Sequence, residues 1–130
     1  MLDTNTCVFL MKNRMETVEQ YKRNKQYGIA VSMITVSELQ FGVYNSNYPE
    51  KNAANLLGFL TGFNLFDYDV AAACEYGRIR AALRRAGTPI GHLDTLIAAH
   101  AKSRNLTLVT NNTREFERIS GLELTDWLNL

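Results

Sequence analysis

The sequence predicts an α/β domain built on a central parallel sheet of four or five short strands flanked by helices. Three short apolar runs are near-continuous rather than alternating, as in strands covered on both faces. Longer segments with helical spacing lie between them. Strands that alternate with helices pair in parallel through right-handed crossovers. The 130 residues form a single domain, 1–130, with no internal repeat, linker or low-complexity tract.

Taken in order, Met1-Leu2-Asp3 is a very short first strand that ends on a carboxylate. The run Ile29-Ala30-Val31-Ser32-Met33-Ile34 is a buried strand. It leads into Thr35-Val36-Ser37-Glu38-Leu39, where Thr35 or Ser37 caps a helix and Glu38 falls in its first turn. Residues 50–63 carry Leu56, Leu57, Phe59, Leu60 and Phe63 at helical spacing, richer than one core-facing stripe requires. This face is either a fully buried helix or an interface. A strand over 65–68 follows, then a helix over 70–85 with Ala73, Tyr76, Ile79 and Leu83. Residues 93–104 form a third such helix, and 106–110, Leu-Thr-Leu-Val-Thr, a late strand. Pro49 and Pro89, the only prolines, sit at element boundaries.

Composition excludes several classes. Hydrophobic residues make up 46% and charged residues 21%, with a formal net charge of +1. That balance gives no sequence-wide attraction to nucleic acid but leaves room for a local basic face. No stretch approaches the ~20 apolar residues of a membrane span, and the N-terminus lacks a signal-peptide pattern. Cys7 and Cys74 read as free, partly buried thiols, which fits a reducing, cytoplasmic setting.

In open parallel α/β sheets the site lies beyond the carboxyl ends of the strands. Four acids from four regions fall there: Asp3 after the first apolar pair, Glu38 after the second strand, Asp94 at the head of the third helix, and Glu115 just past the late strand. Asp94 is spaced from Ile97, Ala98 and Ala101 so as to face the packed side. Singly, Glu38, Asp94 and Glu115 also fit acids that complement a helix macrodipole. Asp3 fits that role less well, because Thr4-Asn5-Thr6 already offers capping side chains. Crowded carboxylates repel one another and raise their pKa values. A hard divalent cation such as Mg²⁺, with Mn²⁺ as substitute, takes oxygen ligands and removes that penalty. Such an ion supports phosphoryl chemistry on water and phosphate.

Other catalytic sets are poorly supplied. His92 and His100 are the only histidines, too few for a nitrogen-rich zinc site or a Ser/His/Asp triad with convergent partners. Gly28, Gly87 and Gly91 form no phosphate loop.

The stretches MLDTNTCVFLMKNR, ITVSELQFG, YGRIRAALRRAGTPIGHLDTLIAAHA and LVTNNTREFERISGLELTDW resemble VapC-type toxins, the PIN-domain ribonucleases of type II toxin–antitoxin pairs. The resemblance runs nearly end to end, with its motifs in the family's order. It implies a single PIN-like domain and a metal-dependent endoribonuclease that cuts structured RNA, often tRNA, and so blocks translation. It implies a homodimer held inactive by a cognate antitoxin whose C-terminal segment occupies the active-site groove. The family's acidic positions fall on Asp3, Glu38, Asp94 and Glu115, with Asp3 and Asp94 matching the metal-binding acids. Asn5 and Asn112 match supporting polar positions. The expected products carry a 5′-phosphate and a 3′-hydroxyl.

RNA needs positive charge around this acidic centre. Arg78, Arg80, Arg84 and Arg85 cluster on one helix, with Lys12, Arg14 and Arg114 near the motif segments. They are candidates for phosphate contacts, and equally for a solvated helix face. Two alternatives stand beside the nuclease: a receiver-like signalling domain with an Asp- and Mg²⁺-bearing sheet edge, and a non-catalytic interaction domain using the acids as caps. The receiver wants a Lys after its late strand, where this chain has Thr110-Asn111-Asn112.

Overall fold

Leu2 holds the sheet together. The computed structural model describes residues 1–130. In it Leu2 forms parallel bridges to Val31 on one side and Val109 on the other. Its N–H donates to the Ala30 carbonyl at 3.0 Å, and the Asp3 N–H donates to the Val109 carbonyl at 3.0 Å. Strand β1 (Ala30–Ser32) pairs in parallel with β2 (Asn64–Phe66), and β3 (Leu108–Val109) with β4 (Leu124–Thr125). The expected sheet is thus two short parallel pairs joined through one residue, ordered β2–β1–Leu2–β3–β4.

Seven helices surround it: α1 (Thr4–Met11), α2 (Met15–Asn24), α3 (Met33–Tyr44), α4 (Pro49–Leu60), α5 (Val70–Arg85), α6 (His92–Ser103) and α7 (Thr113–Phe116). The sheet is apolar on both faces. Leu2, Val31 and Val109 belong to one buried cluster with Leu39, Leu56 and Trp127. The alternate residues Met1, Ala30 and Leu108 belong to another with Ile79, Ile97 and Phe116. Period-two alternation between two covered faces explains the near-continuous apolar runs. No helix is long and apolar enough to cross a membrane.

Several boundaries differ from the sequence expectation. The strand expected over 29–34 ends at Ser32, whose Oγ accepts from the Ile34 N–H at 3.1 Å and caps α3. Thr35 and Ser37 are therefore inside the helix, and Glu38 lies in its second turn rather than its first. The β-branched run Ile34-Thr35-Val36 reads as strand, yet burial of Thr35 and Val36 against the core overrides local propensity. The strand expected over 65–68 is β2, an edge strand with Asn64 and Leu65 exposed. In α4, Leu56 and Leu60 are buried and Phe59 packs against the core, as does Phe63 just beyond the helix, which leaves Leu57, 65% exposed, as the one exposed apolar side chain of the suspected interface. Cys7 is buried as expected, but Cys74 is exposed.

Candidate active site

Asp3 sits at the carboxyl end of the central bridge. The chain leaves the sheet there and turns at once into α1, with Asp3 as the N-cap; Oδ1 accepts from the Thr6 N–H at 2.8 Å. This overturns the expectation that Thr4-Asn5-Thr6 would do the capping. Asp3 is 4% exposed, yet its cap uses only one carboxylate oxygen. Thr6 instead donates its hydroxyl to the Val109 carbonyl at 3.2 Å, which fixes α1 to β3.

Thr4 does something the sequence did not announce. Its hydroxyl donates to Glu38 Oε1 at 2.6 Å and lies 3.5 Å from the Thr35 hydroxyl. The half-buried Glu38 is thereby aimed back toward the start of α1. Glu115, in the short α7, accepts on Oε2 from the Asn112 side-chain amide at 3.0 Å. The Asn112 N–H in turn donates to the Thr110 hydroxyl at 3.0 Å, just past β3. Asn5 is exposed in the first turn of α1.

Asp94 stands in the first turn of α6, half-buried, behind the N-cap Gly91. Its carboxyl is pushed up to about 6, first by burial and then by the negative charge of Asp3, Glu115 and Glu38. Asp94 therefore lies within electrostatic reach of the other three acids. None of them pairs with a basic side chain: the ion pairs of the chain are Arg14–Glu16, Arg78–Glu75, Lys102–Glu75 and Arg104–Asp69. The carboxylates share a rim without closing on a point, since no three His, Cys, Asp or Glu side chains are gathered in metal-holding geometry. All-oxygen donors with uncompensated charge nonetheless suit a hard cation. Mg²⁺ is commonly held by one or two carboxylates and completes its shell with water and substrate phosphate.

The remaining polar candidates separate. Asp69 caps α5 through the Ala72 N–H at 3.0 Å, which holds its carboxyl below the usual range. Asp126 accepts from the Leu128 N–H and the Asn129 amide in a turn near the C-terminus. His100 is fully buried, with Nδ1 2.7 Å from the Ser32 hydroxyl, and is a packed helix residue. Arg78 is tied to Glu75 at 2.9 Å, and Arg14 lies against the Phe9 ring. Arg80 and Arg84 line a small cavity beside His92 and Thr95 at the head of α6, whereas Arg85 is exposed and lines none of the principal cavities. A larger groove of 570 Å³ runs between α1, α3 and α4, and Thr4 and Glu38 stand on its wall with Val8, Met11, Val43 and Phe59.

Comparison with known proteins gives the family. The PIN domain family model matches residues 1–122. The chain is 47% identical over 127 residues to the tRNA(fMet)-specific endonuclease VapC of Shigella flexneri, covering 98% of this chain and 96% of that protein. It is 42% identical over 129 residues to ribonuclease VapC2 of Haemophilus influenzae, with 98% and 97% covered. Among solved structures, DNA-bound VapBC from Salmonella typhimurium superposes with a TM-score of 0.93 at 48% identity, covering 98% of this chain and 96% of that one. VapBC-1 from nontypeable Haemophilus influenzae gives 0.90 at 34%, with 99% and 98% covered. These relatives support neither the receiver-like nor the non-catalytic alternative. The chain belongs to the PIN-domain family, among its VapC-type ribonucleases.

Proposed function

We propose that this ribonuclease is the toxin of a type II toxin–antitoxin pair and that it hydrolyses tRNA at the acidic rim with Mg²⁺, or Mn²⁺ in its place. The observation that carries this is the half-buried Asp94 beside Asp3, Glu115 and Glu38 with no basic partner among them; burial first, and then the charge of the other three acids, pushes its carboxyl up to about 6. The tRNA substrate is supported by relatives named as tRNA(fMet)-specific endonucleases.

In this reading Asp3 and Asp94 would hold the principal ion. Glu38 and Glu115 complete the cluster and orient the attacking water and the strand. When bound, the ion supplies charge neutralisation at the phosphodiester and activation of water. The chain's own part is positional. The N-cap hydrogen bond fixes Asp3 Oδ1, Thr4 fixes Glu38, and Asn112 fixes Glu115. Asn5, exposed beside Asp3, supports the strand from the rim. In-line attack leaves a 5′-phosphate and a 3′-hydroxyl.

The antitoxin is supported by the VapBC complexes among the solved relatives. Its C-terminal segment would occupy the α1–α3–α4 groove, whose apolar walls suit a partner side chain and which reaches the site at Thr4 and Glu38. Pairing of two copies belongs to the same proposal, supported by the exposed Val70, Ala73 and Cys74 on α5.

The test is incubation of the purified, antitoxin-free chain with total RNA and Mg²⁺ or Mn²⁺, mapping new 5′ ends. New 5′-phosphate ends in tRNA are expected. A folded chain that leaves tRNA intact contradicts the reading.

A further inference from the structure

The four arginines of α5 have different surroundings. Arg80 and Arg84 are spaced i, i+4 on one face and border a cavity of 240 Å³ between α5 and the head of α6. Leu83, Pro89 and Ile90 form its apolar side, and His92 and Thr95 its α6 side. No carboxylate lines it, and neither arginine is in an ion pair. Arg78 faces away, bound to Glu75 and bordering a different cavity with Ala82 and Arg118.

Arg80 is held ready. Its Nη1 donates to the Tyr76 hydroxyl at 3.1 Å, and its guanidinium lies 5.9 Å from the centre of the Tyr76 ring. The same hydroxyl is 3.4 Å from His92 Nδ1. The chain Arg80–Tyr76–His92 therefore runs from the cavity to the first turn of α6, which also carries Asp94. No side chain caps that helix. The volume is below the ~300 Å³ of a small-molecule pocket. A phosphate with part of a ribose suits it better.

We propose that this cavity is a nucleotide subsite for the RNA strand, in which Arg80 and Arg84 bind a backbone phosphate next to the one cut at the acidic rim. Tyr76 is a positioning residue for Arg80, and Arg78 takes no part. The proposal rests on the reading of the acids as the RNA-cleaving centre. Bidentate guanidinium–phosphate contact is the chemistry that two unpaired arginines at a cleft offer.

The test uses the cleavage-silenced Asp94→Asn chain and fluorescently labelled bulk tRNA, with binding measured across a salt series. In that background Arg80→Gln/Arg84→Gln is compared with a charge-matched control on α2, Lys22→Gln/Arg23→Gln. Loss of phosphate contacts lowers the slope of log K against log salt by about 0.7–0.9 each. The Arg80/Arg84 pair is expected to flatten the slope by about 1–2, and the control to leave it unchanged. Tyr76→Phe is expected to weaken binding several-fold with the slope nearly kept, since it removes only the hydroxyl that orients Arg80. Equal slopes for the parent and the Arg80/Arg84 variant, while the parent binds tRNA, overturn the subsite and leave the nuclease reading standing. A folded parent that binds no tRNA overturns both.

Discussion

The Thr4 hydroxyl donates to the Glu38 carboxylate at 2.6 Å and so ties the first residue of α1 to the second turn of α3. The two segments are held in register at the rim by this contact. A hydrogen bond to a charged group contributes roughly 1.5–3 kcal/mol when well made, and less at a half-exposed site. Thr4→Val is therefore expected to lower the cleavage rate roughly 5-fold, about 1 kcal/mol of misplaced carboxylate, with a small loss of stability. Thr4→Ser should retain the rate. Steady-state cleavage of a labelled tRNA reads both, and a Thr4→Val chain as active as the parent removes this contact from the account.

Asp3 has two jobs that substitution can separate. As the N-cap of α1 it satisfies the Thr6 amide; as an acid it contributes charge to the site. Asp3→Asn keeps a good cap, so chemical denaturation should show a stability within about 0.5 kcal/mol of the parent. Asp3→Ala should cost about 1 kcal/mol. Both should lose cleavage. An active Asp3→Asn enzyme would show that the cap alone matters.

Asp94 should be costly to the metal-free fold. Its folded pKa of about 6 lies above the ordinary carboxylate value of 3.8. Its contribution to stability is full below the ordinary value and is lost as pH rises through about 6. At pH 7 the metal-free chain carries the whole penalty, about 1 kcal/mol once solvent screening of this half-exposed group is allowed for. Asp94→Asn is expected to raise the metal-free Tm by a few degrees while lowering cleavage roughly 100-fold or more. Added Mn²⁺ should stabilise the parent and not the variant. Thermal denaturation with and without the ion decides.

His100 predicts an acid-sensitive core. Burial first, then the nearby Arg104, holds its imidazole below the ordinary value, against the opposing pull of Asp69 and the Asp67 carbonyl. The folded value lies below the unfolded one, so stability is full above about pH 6.5 and is lost as pH falls through the folded value. Denaturant midpoints of the Asp94→Asn chain, free of the opposing carboxylate titration, should fall from pH 7.5 to 5.5. His100→Gln should start lower, by roughly 2 kcal/mol, and show a flatter profile over that range. Parallel profiles would remove His100 as the cause.

The parts of the fold that were legible in the sequence share one property: their signal is periodic or positional. Apolar runs around Val31 and Val109 mark the sheet, strand ends mark Asp3 and the approach to Glu115, and Glu38 and Asp94 stand out as acids near helix starts. The helix over 70–85 was read to its limits. What stayed hidden depends on long-range packing. Thr35 and Val36 look like strand but are buried on a helix capped by Ser32. Nothing local shows that Thr4 would reach Glu38, 34 positions away. The α5 arginines looked like one cluster because sequence adjacency hides the helical face, and only Glu75 and the α6 cavity separate Arg78 from Arg80 and Arg84.

The central claim is that these four acids form one cation-dependent RNA-cutting centre. The most direct measurement is the single-turnover cleavage rate of purified tRNA by the antitoxin-free chain, with Mg²⁺ titrated from EDTA-treated protein, in the parent and in Asp94→Asn. The rate of the parent should rise from near zero with added ion and saturate, and Asp94→Asn should stay near zero throughout. Cleavage that persists in EDTA, or an Asp94→Asn chain that cuts at the parent's rate, would contradict the account.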